Sequence, residues 1–332
     1  MIVDAHNHLV LSHADWDGAA LGALPVDAIV ERLREGGVAA AGLIVGGDRA
    51  FPDREASPWD GTIGALAQFW RGMSASRGPG LPILSADDVD RISIETPGFL
   101  LGVEGASPLL DSPLGNPVAA FHLLARLGVR SLQLLGGEPR PVFEADPPLR
   151  LSETGRLVLG EAKRLGFVAD LSHLSGDEPA FTQIIDALGR PPIASHHSCR
   201  AVNGHPRALS DAAIRRIAAS GGVVGIHCGS GWLNGEDRQG TTDDFVRHVQ
   251  HVAALVGAEH VAIGSDHLDV RAHPADLRGD LFMAGFEGPE SFGLISDVLE
   301  RTGFTAKEQG RILGENVLRV WRSALASVEA AL

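Results

Sequence analysis

The chain contains no tyrosine, only two lysines (Lys163 and Lys307) and only two cysteines, Cys199 and Cys228. Two thiols cannot staple 332 residues, so a disulfide framework is excluded. The shortage of tyrosine and lysine carries no mechanism. The formal net charge of -14 leaves no basic face for phosphates and argues against a nucleic-acid partner. No run of like charges is long enough to make a tail. No uncharged apolar stretch approaches membrane-spanning length, and a strand that begins at residue 2 leaves no room for a leader peptide. The expectation is a cytoplasmic protein with no membrane partner. What is present is ordinary: hydrophobic residues at 44% and charged residues at 21%, enough for a sizeable core.

Apolar runs of strand length alternate with longer amphipathic stretches from end to end. The strands read as Ile2–His6, Ala39–Val45, Phe99–Glu104, Ser131–Leu135, Val168–His173, Pro192–His196, Val223–Cys228 and Val261–Asp266. Helical periodicity runs through Pro25–Glu35, Pro117–Leu127, Glu153–Leu165, Pro179–Leu188, Ser210–Ala219 and Thr242–Val256. Eight strands, each followed by a helix and apolar throughout, predict an α/β fold: a parallel (β/α)8 TIM barrel spanning 1–332 as one domain. A doubly wound open sheet is the rival, but no glycine-rich nucleotide turn supports it. The long segment Asp48–Asp90 reads as an elaborated loop with an extra helix near Ile63–Ala75. Leu281–Gly303 and a final helix from Ala306 complete the outer layer.

In such a barrel the chemistry sits at the C-terminal ends of the strands. Read in order, those ends give His6 and His8, then Glu104, His173, His196 and Asp266. His6 and His8 are two residues apart, so on a strand they project to the same side. Any one of these residues alone is more often structural or solvated. Six at five strand ends point to divalent metal. Glu104 is placed to bridge two ions, with His6 and His8 on one and His173 and His196 on the other. Imidazole-rich, thiolate-free ligation favours zinc, with manganese or iron nearly as suitable. The remaining histidines, among them His13, His122, His205, His248, His251, His260 and His273, fall in helices or outer loops and read as structural.

The ordered series of motifs resembles the membrane (renal) dipeptidase family, metallopeptidase family M19. It runs over most of the chain: Asp4-Ala5-His6-Asn7-His8, Gly102-Val103-Glu104-Gly105, Leu127-Gly128-Val129-Arg130, and Leu165-Gly166-Phe167-Val168-Ala169-Asp170-Leu171-Ser172-His173. Ser195-His196 with Arg200-Ala201 and His205-Pro206-Arg207 follows, then Gly264-Ser265-Asp266 and Gly314–Arg319. The resemblance implies a binuclear zinc barrel that cleaves dipeptides by attack of a hydroxide bridging the metals. It implies His6, Glu104, His173 and His196 as ligands, Asp266 as acid/base, and Arg200 as the reader of the substrate carboxylate. A homodimer is the oligomer it implies.

Two departures stand out. His8 occupies the place of a family aspartate, which removes a negative charge and should weaken metal affinity while making bound water more acidic. Gly136 stands where the family's fourth strand ends in a histidine that steadies the scissile carbonyl. Loss of such a donor costs about 2–4 kcal/mol of transition-state stabilisation. His227, at the tip of the seventh strand, is the expected substitute, with His267 second; His197 faces away from the site. Two other functions compete: a TatD-like metal-dependent deoxyribonuclease, which uses the same ligand types, and a metal-binding barrel that has lost catalysis.

Overall fold

A computed structural model describes residues 1–11, 26–48, 57–76, 78, 80–137, 141–235, 238–268 and 281–326. His13 and His273 lie outside the described residues. The apolar runs form eight parallel strands: β1 (Ile2–Asn7), β2 (Val38–Gly47), β3 (Gly98–Glu104), β4 (Val129–Gln133), β5 (Val168–Asp170), β6 (Ile193–His197), β7 (Val223–Ile226) and β8 (Val261–Ile263). They pair in chain order, with the two-residue strand Leu81–Pro82 added beside β3. Backbone bonds then join the first strand to the last: Asp266 N–H donates to His6 O at 2.9 Å and His8 N–H to His267 O at 2.8 Å. The sheet is thereby nearly closed into the expected parallel barrel.

Between the strands run α1 (Val26–Glu35), α2 (Pro58–Ala75), α3 (Pro117–Arg126), α4 (Glu153–Arg164), α5 (Pro179–Leu188), α6 (Asp211–Ala219), α7 (Thr242–Val256) and α8 (Phe292–Arg301). Local chemistry starts and stops them. Asn116 caps α3 by accepting from the amides of Val118 and Ala119, with Pro117 in the first turn. Thr241 and Asp244 form a reciprocal capping box on α7. α2 begins five residues before the expected helix because Ser57 and Pro58 supply an N-terminal cap there.

A last helix, α9 (Asn316–Leu325), buries Val317, Trp321 and Leu325 against Val3, Val168, Ile193 and Val223, which open or nearly open their strands. That packing seals the N-terminal end of the barrel and leaves the C-terminal end for function. Several strands stop short of their expected ends. β5 finishes at Asp170 and β8 at Ile263, so His173 and Asp266 stand on the turns beyond, with left-handed φ of 72° and 53°. They are the only non-glycine residues with positive φ among the described residues. Strain of this kind persists where the surroundings enforce it, commonly at functional sites.

Candidate metal centre

Six donor side chains converge at the open end of the barrel. His6, His8, Glu104 and Asp266 form one potential ligand group, and Glu104, His173 and His196 form another. Glu104 belongs to both. His6 Nε2 and His8 Nε2 lie 3.4 and 3.1 Å from Glu104 Oε2, while His173 Nε2 lies 3.2 Å from Glu104 Oε1. His6 Nε2 faces His8 Nε2 at 3.3 Å, and His173 Nε2 faces His196 Nε2 at 3.1 Å.

Three of the four rings are held from behind through Nδ1. Ser195 Oγ stands 3.2 Å from His6 Nδ1 and 2.9 Å from His196 Nδ1, and donates its own proton to Asp170. Asp170 also accepts from the backbone N–H groups of Ser172 and Ser195, both at 3.0 Å. His173 Nδ1 donates to the carbonyl of Gly136. With Nδ1–H groups spent on protein oxygens, these rings turn Nε2 lone pairs inward. Lone pairs aimed at one another and at a carboxylate suit a cation, so the donor set fits divalent metal.

The charges are strongly coupled. Burial disfavours the His8 imidazolium, but the Asp266 and Glu104 carboxylates beside it prevail and raise its pKa to about 10. Burial opposes ionisation of Glu104 as well, yet its contacts with His6 and His8 hold it well below the usual carboxylate range. Asp266 is also held well below that range against burial, by His196 and His227. Burial and the neighbouring His6 push His196 far down.

Asp266 has two distinct ends. Oδ1 lies 3.0 Å from His8 Nε2 and 3.6 Å from His6 Nε2, whereas Oδ2 accepts from His227 Nε2 at 2.9 Å. The other ring nitrogen of His227 accepts from the amide of Gly229 at 2.6 Å. Both nitrogens are therefore engaged, and no N–H of this tautomer is left to point at a developing oxyanion. His227 is thus placed to hold Asp266. His267 is fully buried, packed 5.2 Å from the Phe282 ring and 3.4 Å from Arg32 Nη2. His197 is buried away from the cluster, with its pKa lowered to about 3 by burial and by His173.

A cavity of about 480 Å3 opens over the cluster, with His8, Glu104, His173, Asp266, Asp48 and Arg207 in its wall. Arg200 is not in that wall. Its guanidinium is consumed by Asp177 at 2.5 Å and by the carbonyls of Ala208 and Pro206 at 2.9 and 3.0 Å. Arg207, seven residues on, is the cation that faces the cavity, 5.2 Å above the Trp232 ring. Arg207 is not among the residues expected at the site, although it belongs to the His205-Pro206-Arg207 motif. Three orienting residues are likewise unexpected from the sequence. Asp4 fixes the turn before Asp266 by accepting from Ser265 N–H at 2.8 Å and Ser265 Oγ at 2.6 Å. Asp170 lies behind the histidines. Asp48 accepts from the amides of Gly136 and Gly137 at 2.8 and 3.0 Å. Asp4 and Asp170 could have been suspected from carboxylates two or three residues before a ligand; Asp48 carried no signal.

A nearly closed parallel barrel with a histidine and carboxylate centre at its C-terminal end defines the class as the metal-dependent hydrolase type of α/β barrel. The chain belongs to the membrane dipeptidase family, peptidase family M19, whose model matches residues 1–331. The dipeptidase tcpJ of Claviceps purpurea is 30% identical over 244 residues, covering 71% of this chain and 53% of that protein. An uncharacterized dipeptidase of Schizosaccharomyces pombe is 31% identical over 232 residues, covering 67% and 52%. The chain thus spans about half the length of these curated relatives. Among solved structures, an amidohydrolase from Pseudomonas aeruginosa superposes with a TM-score of 0.79 at 22% identity, covering 98% of this chain and 96% of the other. A Rhodobacter sphaeroides metallopeptidase liganded with a phosphinate mimic of L-Ala-D-Ala gives 0.77 at 21%, covering 97% and 99%.

Proposed function

We propose that this protein is a binuclear metal-dependent dipeptidase, cleaving the amide bond of a dipeptide or a closely related small amide. The observation that carries the proposal is the shared carboxylate: Glu104 turns one oxygen to His6 and His8 and the other to His173. His6, His8 and Glu104 would hold one ion, with Asp266 beside it; Glu104, His173 and His196 would hold the other. Zinc suits the imidazole-rich, thiolate-free donors. Two such ions, when bound, supply the Lewis acidity that polarises a carbonyl and acidifies water.

The chain's own residues supply the rest. Asp266, with Oδ1 toward the centre, takes the proton of the attacking water and passes it to the leaving amine. His227, itself held by the Gly229 amide, holds its other oxygen so that Oδ1 keeps that direction. Arg207 receives the substrate's terminal carboxylate, the role expected of Arg200, because its guanidinium is the one at the cavity wall. The match to the dipeptidase family is why this reading is preferred to a deoxyribonuclease.

The test is elemental analysis with a dipeptide hydrolysis panel, on wild type and Glu104→Gln. About two metals per chain and turnover are expected of wild type, with both falling together in the variant. A Glu104→Gln protein that keeps two tightly held metals refutes the bridge; a fully loaded wild type that cleaves no dipeptide refutes the activity.

A further inference from the structure

We propose that the cavity has a second, apolar lobe that takes one side chain of the substrate and selects a large apolar or aromatic group. This rests on the dipeptidase reading above and adds a substrate class to it. Beside Asp266 the cavity continues into a space of about 440 Å3, walled by His205, His227, Trp232, Leu268, Leu281 and Phe282, with Gly229 and Gly231. Asp266, Trp232 and Leu268 line both lobes, so the apolar space begins at the catalytic carboxylate. Apart from Asp266, no carboxylate, lysine or arginine lines it among the described residues. Arg207 faces the metal lobe and not this one, so the substrate's carboxylate and its side chain go to different places.

Three of the imidazole nitrogens at the lobe are engaged elsewhere. His227 spends Nε2 on Asp266 and Nδ1 on Gly229, and its ring lies 5.7 Å from Trp232 at 29°. His205 accepts from the Arg207 amide through Nδ1, and its ring centroid is 5.0 Å from that of Trp232. Both imidazoles therefore help to set the Trp232 indole, and Arg207 lies over it. A rigid aromatic wall fixed in this way favours a planar or bulky apolar partner over a polar one. Packed interiors leave few voids larger than a water molecule, whereas ligand pockets run from about 300 to 1,000 Å3. Leu281, 40% exposed at the wall, is a large apolar side chain that an occupant would cover.

Burying a leucine- or phenylalanine-sized side chain corresponds to about ten- to hundredfold in kcat/KM. The test compares Gly-Gly with Gly-Leu, Leu-Gly, Gly-Phe, Phe-Gly and the acidic pair Gly-Glu and Glu-Gly on the metal-loaded enzyme. A ten- to hundredfold preference for Leu or Phe in one of the two positions is expected, with no gain for Glu. Two variants should shrink that ratio. In Gly231→Leu an added Cβ meets no protein atom within 4 Å, so bulk enters without displacing the wall. In Leu281→Asp a charge is set at the lobe, at a site exposed enough to tolerate it. Dipeptides cleaved without regard to side-chain size would overturn the lobe and leave the dipeptidase reading standing. If no dipeptide is cleaved, that reading falls, and equilibrium binding decides the lobe separately. N-acetyl-phenylalanine amide should bind about tenfold or more tighter than N-acetyl-glycine amide; equal binding would overturn it.

Discussion

Metal binding to this centre should expel a proton from His8. Its Nε2 stands 3.1 Å from Glu104 Oε2 and 3.0 Å from Asp266 Oδ1. Burial works against the imidazolium, but the two carboxylates prevail and raise its pKa to about 10. In the metal-free protein near pH 7 that nitrogen therefore carries a proton, and an ion can take the position only by displacing it. Three pH units below the pKa, the displacement costs about 4 kcal/mol at 1.36 kcal/mol per unit. The apparent affinity should then rise about tenfold per pH unit until roughly pH 10. Glu104 and Asp266 are already ionised and His196 is already neutral, so none of them obscures the count. Calorimetric titration with Zn2+ at pH 7, in buffers of contrasting ionisation enthalpy, should show about one more proton released by wild type than by His8→Asn. Equal release by the two proteins would refute the argument. Stability carries the same sign. A pKa raised from 6.5 to about 10 stabilises the metal-free fold fully below pH 6.5, and that contribution is lost as pH climbs through 10. The melting temperature of metal-free protein should accordingly fall between pH 7 and 10, and the His8→Asn variant should lose that decline.

Four further variants separate roles in and beside the cavity. His227→Ala frees Asp266 Oδ2 and should lower kcat about tenfold or more with metal content unchanged, while His227→Gln, which can still donate, should recover part of the loss. Arg207→Ala should raise KM for carboxylate-bearing dipeptides about ten- to hundredfold, the worth of a charged hydrogen bond, whereas Arg200→Lys should leave KM near wild type because Arg200 is tied to Asp177 and two carbonyls.

The fold and the convergence were legible because each depends on one local signal repeated. Apolar runs alternating with amphipathic stretches specify the barrel, and a barrel of known polarity brings strand ends together wherever they fall in sequence. Histidines and acids at those ends were therefore readable as a cluster. What one guanidinium reaches is not a local property. Arg200 and Arg207 lie on one short connection, and the choice between them is made by Asp177 and by the carbonyls of Pro206 and Ala208. His227 illustrates the same limit. Its place at the seventh strand's tip was evident, but its task was set by Gly229 behind it and Asp266 before it. The strands at β5 and β8 end three residues before His173 and Asp266, which sit on turns whose left-handed backbone no periodicity reveals.

The family resemblance leads one to expect a histidine where Gly136 stands, and the packing around Gly136 leaves no room for a side chain. A Cβ on Gly136 would lie 2.5 Å from the carbonyl oxygen of Glu104 and 2.8 Å from Asp48 Oδ2. The first is backbone of Glu104, the proposed bridge, and cannot swing aside. The same glycine donates its amide to Asp48 and offers its carbonyl to His173 Nδ1, so moving it disturbs the orientation of one proposed ligand and the backbone of another. Gly136→His should therefore not gain a carbonyl-steadying imidazole. It should lose about 1–3 kcal/mol of stability through overpacking, read as a lower urea midpoint, and bind metal more weakly. Gly136→Ala should show the same two losses without adding any functional group, which separates the steric cause from the chemistry of histidine. A Gly136→His protein that keeps its stability and metals and turns dipeptides over faster would show that the loop yields. The present arrangement would then be a catalytic deficit, easily repaired, and not a consequence of how Asp48 and Glu104 hold the turn.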